Sequence, residues 1–173
     1  MVDGYAAVGL PGCVGSVDCV HIGWDKCPTQ HMNLYKGKEN YPSVAYEVIC
    51  TSRQFIQSVS CGHPGSRNDE HIARTDAAIM SLLCPHDWLF SKLWSVVINA
   101  EKNTQVFKGS YLLCDGGYHR WPCLVYPIKT GLPGSTARKW AATLELIRKD
   151  IEGVFGHLKR RFLFLKRFNR MHR

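Results

Sequence analysis

The stretch Val14-Gly15-Ser16-Val17-Asp18-Cys19-Val20-His21-Ile22 decides how this chain is read. It is apolar on both alternating faces, the pattern of a strand covered on both sides and therefore central in its sheet. Asp18 breaks that pattern. Aspartate is depleted in strands, and a buried carboxylate without a partner costs several kcal/mol, a large share of a domain's stability. The same anomaly recurs in Tyr111-Leu112-Leu113-Cys114-Asp115, an apolar run that ends on an acid just before Gly116-Gly117. A third acid, Glu152, lies on an amphipathic helical stretch within Ile151-Glu152-Gly153-Val154-Phe155-Gly156. Two strand carboxylates and one from a helix point to a divalent cation site, and hence to nucleotidyl or phosphodiester chemistry.

The chain has 173 residues, enough for one domain with an ordinary core, and 45% hydrophobic against 21% charged residues is a globular composition. No run of 18 apolar residues suggests a membrane span. The N-terminal segment carries Asp3 where a signal peptide has basic residues, so no export signal is expected. Of the eight cysteines, Cys19, Cys50 and Cys114 fall in expected buried strands, which favours reduced thiols in an intracellular setting. The net charge of +8 is concentrated: residues 129–173 hold twelve Lys/Arg against three Asp/Glu, while residues 1–128 hold ten against eleven. A solvated helix face is the ordinary meaning of such a run. Here it lies within two turns of Glu152, and that proximity favours contact with a polyanion.

Around the opening strand (Val14 to Trp24), the pattern predicts a hairpin of Ser43–Thr51 and Phe55–Cys61. A helix is expected from Asn68 or Asp69 to about Leu83, and a second over 86–100. Strands Tyr111–Asp115 and Leu124–Pro127 follow, and then a long basic helix over 137–168. Three antiparallel strands, then parallel strands with flanking helices, form an α/β RNase H-like mixed sheet in one domain, residues 1–173 with a core over 14–163. In that arrangement the first and fourth strands are neighbours about 4.8 Å apart, so Asp18 and Asp115 can converge although they lie 97 positions apart in the sequence.

Leu144, Ile147, Ile151, Val154, Leu158 and Phe162 recur at helical spacing as a core stripe, with Glu152 at its edge. Gly153 and Gly156 each cost about 1 kcal/mol in a helix interior relative to Ala, which argues for close approach of backbone, metal or DNA there. The alternative for Glu152 is a solvent-facing i,i+4 pair with Arg148.

Four segments carry a resemblance to a known family: Gly15-Ser16-Val17-Asp18-Cys19-Val20-His21; Pro64-Gly65-Ser66-Arg67-Asn68-Asp69; Leu112-Leu113-Cys114-Asp115-Gly116-Gly117-Tyr118; and Ile151-Glu152-Gly153-Val154-Phe155-Gly156-His157-Leu158-Lys159-Arg160-Arg161-Phe162. Each is weak alone. In this order, with 37 positions from Asp115 to Glu152, they resemble the catalytic domain of PIF/Harbinger-type transposases, DDE-superfamily endonucleases. The resemblance implies an RNase H-like fold and a DDE triad, Asp18, Asp115 and Glu152, that holds Mg²⁺ or Mn²⁺ and cleaves double-stranded DNA by a two-metal mechanism. It implies a nuclear location, a separate Myb-like DNA-binding partner protein, and phosphate contacts from Lys159, Arg160, Arg161, Lys166 and Arg167. Relative to that family the chain looks truncated at both ends, so a catalytically inactive DNA-binding remnant is the alternative expectation.

Other groups carry less. Asp69 reads first as a helix cap and second as a support for the cation site. His21 and His119 lie near the strand acids, but structural roles suit them better, and Trp24, Tyr118 and Trp121 suit core closure better than base stacking. Cys19-Val20-His21 and Cys61-Gly62-His63 lack the paired spacing of a zinc site. No nucleophile elbow or P-loop is present.

Overall fold

The computed structural model describes residues 3–84, 93–97, 104–128 and 131–166. Its centre is strand β1, Cys13–Gly23. On one side β1 pairs antiparallel with β2 (Ser43–Cys50), which in turn pairs with β3 (Ile56–Val59) and the short β4 (His63–Pro64). A second hairpin stands outside this sheet: β5 (Leu93–Val97) pairs antiparallel with β6 (Thr104–Lys108). On the other side of β1, β7 (Tyr111–Leu113) runs parallel, followed by β8 (Leu124–Val125), also parallel. The order β3-β2-β1-β7-β8 is a mixed α/β sheet of the RNase H-like kind, as the sequence pattern leads one to expect.

One irregularity sets which way the acid of β1 points. Between Cys13 and Gly15 the register against β7 shifts by one residue. Such a bulge exchanges the faces of the strand. Beyond it, Ser16 and Asp18 stand opposite Cys50 and Val48, on the face covered by the C-terminal helices. Val17 stands opposite Ile49, on the face covered by α3 (Asp69–Ala73) and α4 (Ala77–Leu83). Two short helices precede these, α1 (Asp3–Ala7) and α2 (Met32–Tyr35). Tyr5 of α1 closes the end of the core with Leu10, Cys13, Tyr111, Leu113 and Leu144. All eight cysteines are free thiols, with Cys13, Cys50, Cys114 and Cys123 used as small core residues.

Three expected helices need correction. The segment from Asn68 to Leu83 is two helices: Asn68 caps the first, and Asp76 Oδ1 accepts the N–H groups of Ala78 and Ile79 to start the second. A buried Asp that satisfies free N–H groups ends one helix and begins another. Within 86–100, Leu93–Val97 is a strand, and the rest of that range lies outside the described residues. Short apolar runs do not distinguish strand from helix, and the cross-strand partner at 104–108 settled this one. The long helix over 137–168 is interrupted at Lys149, whose N–H reaches Leu146 O in a tighter turn. It becomes α5 (Thr136–Arg148), α6 (Asp150–Arg161) and the short α7 (Leu163–Lys166). Leu144, Ile151 and Val154 of the expected stripe are buried, whereas Phe162 falls past the end of α6 and is 44% exposed. No described helix is long and apolar enough to cross a membrane.

Candidate active site

The parallel pairing of β1 with β7 ends on the couple Ser16 and Leu113. Asp18 and Asp115 each lie two residues beyond it, and side chains two residues apart along a strand return to the same face. The two acids therefore stand at one sheet edge. Asp18 Oδ1 accepts the N–H of Cys19 at 2.8 Å, and Asp115 Oδ1 accepts the N–H of Gly117 at 2.8 Å.

Arg148, the last residue of α5, reaches into this edge. Its side chain is only 7% exposed, and Nη1 donates to Asp18 Oδ2 at 3.1 Å. Nη2 donates to Glu145 Oε1 at 2.7 Å and lies 3.7 Å from Glu152 Oε1. The third expected acid is thus brought to the same guanidinium as Asp18, though Glu152 is itself about half exposed. It makes the i,i+4 pair with Arg148 and also borders the site. Burial pushes the Asp18 carboxyl up to about 6; Arg148 and the Cys19 N–H act against this, and the nearby charges of Asp115 and Asp69 add to it.

Among the described residues, no three His, Cys, Asp or Glu side chains stand close enough together to hold a metal ion as they are placed. A Cβ on Gly117 would lie 3.1 Å from Asp115 Oδ1 and 3.4 Å from Asp69 Oδ2, so the glycine leaves a gap between two carboxylates that any other residue would fill. Hard oxygen donors of this kind match Mg²⁺ or Mn²⁺.

The glycines of α6 have a different explanation from the one expected. A Cβ on Gly153 would meet the Gln54 amide at 2.6 Å, so the close approach there is by the chain itself, while Gly156 faces open space. Of the basic residues, Lys159, Arg160 and Arg161 form the last turn of α6, with Arg160 and Arg161 exposed. The Lys166 side chain and all of Arg167 lie outside the described residues. His21 bonds Ser43 Oγ at 3.0 Å; His119 joins Glu70 and Arg74 and stacks on Trp121. Tyr118 is core.

The sequence reading gives Asp69 only as a helix cap or a support for the cation site and Arg148 only as an i,i+4 partner of Glu152, because neither carries a signal that separates it from ordinary helix residues; Glu47 it misses altogether. Glu47 does carry such a signal: it is a charged residue in the apolar run Ser43–Cys50, the criterion that picked out Asp18. It is 1% exposed, and although the Tyr118 hydroxyl and the Asp76 carboxyl lie near it, neither Oε makes a hydrogen bond of good geometry. Burial, with Asp76 and Asp69 adding their charge and Tyr118 opposing, pushes it up to about 8. A carboxyl that binds its proton more tightly when folded is stabilising only while protonated, so its contribution is lost as pH rises from the unfolded value through about 8. Glu47→Gln is expected to match the native chain at pH 5 and to exceed it by roughly 2–4 kcal/mol at pH 9. Urea unfolding at both pH values checks this; equal stabilities at pH 9 would refute it.

The family described as "Plant transposon protein" matches residues 3–173. The chain belongs to this family. A rat protein named "Putative nuclease HARBI1" is 32% identical over 65 residues, and its mouse counterpart of the same name is 31% identical over 65 residues. In both, the alignment covers 38% of this chain and 18% of the relative. The chain thus aligns with less than a fifth of the length of those relatives, and no solved structure matches it.

Proposed function

We propose that the chain is the catalytic domain of a divalent-metal-dependent DNA endonuclease of the DDE type, with Asp18, Asp115 and Glu152 as its three acids. The observation that carries this reading is the site's construction: a strand acid, a neighbouring strand acid and a helix pair, Arg148 with Glu152, gathered at one sheet edge. Membership in the plant transposon family and the similarity to proteins named as nucleases support it.

Asp18, Asp115 and Glu152 would hold Mg²⁺ or Mn²⁺. Such ions, when bound, lower the pKa of water and stabilise the charge on a leaving 3′-oxygen. The chain's own residues do the rest. Arg148 neutralises Asp18 in the metal-free protein and keeps α5 and α6 registered on the sheet. Lys159, Arg160 and Arg161 contact backbone phosphates and carry no base information. A DNA substrate brings with it the expectation of a nuclear location.

The second reading, an idle DNA-binding remnant, is favoured by one observation: Arg148 already supplies positive charge 3.1 Å from Asp18. Nicking of supercoiled plasmid with Mn²⁺, Mg²⁺ or chelator separates the two. The endonuclease predicts cleavage with either ion and none with chelator; binding without cleavage under all three conditions establishes the remnant. An RNA–DNA hybrid cut in preference to duplex DNA would redirect the assignment to a ribonuclease. In fluorescence anisotropy, Lys159→Ala/Arg160→Ala/Arg161→Ala is expected to lower duplex affinity and flatten its salt dependence by about three phosphate contacts. An unchanged slope would remove α6 from the interface.

A further inference from the structure

Beside the acids lies a basic cleft that the triad does not use. Its volume is about 570 Å³, and its walls are Ser66, Arg67, Asn68, His71, Arg74 and Thr75, all of them exposed. Arg67 belongs to the segment Pro64-Gly65-Ser66-Arg67-Asn68-Asp69, whose turn is tied to the sheet. Gly65 N–H donates to Ser43 O at 2.9 Å, and Arg67 N–H donates to Pro64 O at 2.9 Å. A Cβ on Gly65 would lie 2.6 Å from Ser43 O and 2.7 Å from Tyr35 O, so only glycine lets the turn press against β2 and α2. Arg67 is thus projected from a fixed backbone, which lowers the ordering cost of whatever it binds.

The charge it projects is unspent. Arg67 Nη1 donates to His63 Nδ1 at 3.4 Å, and no carboxylate among the described residues stands at ion-pair distance from it. Burial, and then the charge of Arg67, push the His63 imidazole below its ordinary value, so this partner is neutral at pH 7. Across the cleft, Arg74 Nη2 meets Glu70 at 3.6 Å in an exposed pair, and its Nε donates to His119 Nε2 at 2.6 Å. One exposed carboxylate therefore serves two guanidinium groups. Asn68 Oδ1 accepts both the backbone N–H and the Nδ1–H of His71, which leaves the Asn68 amide nitrogen as a further donor.

Guanidinium groups pair with phosphate oxygens through parallel N–H bonds, and Asn supports such contacts. A cleft whose walls are all exposed cannot enclose a small molecule, but it can receive a polymer laid across it. Its place in the fold selects the polymer. His119, which Arg74 holds, is four residues past Asp115, and Asn68 adjoins Asp69, whose Oδ2 would lie 3.4 Å from a Cβ on Gly117. We propose that Arg67, Arg74 and Asn68 form a second backbone-phosphate site for DNA, on the face of the sheet opposite to Lys159, Arg160 and Arg161. A strand drawn across the acids is then held on both sides of the sheet edge. The proposal rests on the DNA reading above and deepens it with contacts from residues 1–128, which carry no basic excess.

The test is fluorescence anisotropy of labelled duplex DNA with the full chain in chelator, over a range of salt, so that binding is read apart from cleavage. Arg67→Ala/Arg74→Ala is expected to weaken binding and to flatten the dependence of log affinity on log salt by about two units, one per lost phosphate contact. Arg67→Ala alone should flatten it by about one unit. Arg53→Ala, which removes an exposed arginine outside the cleft, should leave the slope native. Both cleft arginines are exposed, so melting temperatures should stay near the native one. Should the double variant unfold, because Glu70 and His119 lose a partner, Arg67→Ala alone decides. A native slope in the cleft variants, with the slope flattened in Lys159→Ala/Arg160→Ala/Arg161→Ala, would overturn the cleft and leave the DNA reading standing. A loss in Arg53→Ala equal to that in Arg67→Ala would reduce the effect to net charge and overturn the cleft as well. A native chain that binds no duplex at low salt would overturn the DNA reading and this proposal together.

Discussion

Arg148→Ala is expected to destabilise the protein by about 3–5 kcal/mol at pH 8, the usual cost of leaving one member of a buried ion pair alone. The guanidinium is the positive charge bonded to Asp18, and it reaches Glu145 and Glu152 as well. Without it, Asp18 keeps its burial and its like-charged neighbours and loses the strongest influence opposing them. The pH dependence follows from the direction of that shift. The Asp18 carboxyl is held at about 6 when folded, above its ordinary value, so the cost of ionising it is fully present above pH 6 and disappears as pH falls through that range. In the variant the threshold moves higher still, and the loss of stability should be smaller at pH 5 than at pH 8. Urea unfolding at the two pH values measures this. Adding Asp18→Asn to Arg148→Ala should recover much of the loss, because the charge that needed compensation is gone, so the two substitutions are strongly non-additive. Equal urea midpoints for the native chain and Arg148→Ala at pH 8 would show that the bridge contributes nothing.

Asp18→Asn is expected to lower metal-dependent DNA cleavage about a thousandfold or more, since loss of several kcal/mol of charge stabilisation costs tenfold per 1.4 kcal/mol. The fold should survive the change. The amide is nearly isosteric, carries no ionisation cost, and leaves Arg148 with Glu145 and Glu152. A stable but inactive variant separates chemistry from unfolding, a distinction that Arg148→Ala does not make. A cation ligand must be deprotonated, so protons compete with the ion at Asp18, whose carboxyl is held up at about 6 in the metal-free protein, and native cleavage at limiting metal should also decline as pH falls. Plasmid nicking across pH 5–8, beside a melt of the same preparation, is the measurement. Activity within tenfold of native in Asp18→Asn would remove this residue from the chemistry.

Much of the candidate site could be proposed from the chain because strand acids are anomalous wherever they occur. Asp18 and Asp115 violate the apolar pattern around them, and the parallel pairing of β1 with β7 explains why both sit at one edge. Glu47 violates the same pattern and would have been found by applying that rule to every strand. Arg148 and Asp69 violate nothing. An arginine at the end of a helix and an aspartate at the start of one are ordinary, and only their neighbours across the sheet make them otherwise. The helix breaks at Asp76 and Lys149 and the strand at 93–97 eluded periodicity for a related reason. Apolar spacing records which residues are buried; it is silent on whether a side chain such as Asp76 captures the N–H groups that would continue a helix.

By itself the amino-acid order determined the mixed sheet, its central strand and the identity of its out-of-place acids, because alternation and burial are local properties carried by consecutive residues. Only the tertiary structure decided which charges face one another. The bulge at Cys13–Gly15 turns Asp18 toward Arg148, and the bare backbone at Gly117 lets Asp69 approach Asp115. Coulomb interactions depend on distance through space, and no spacing along the chain encodes that distance.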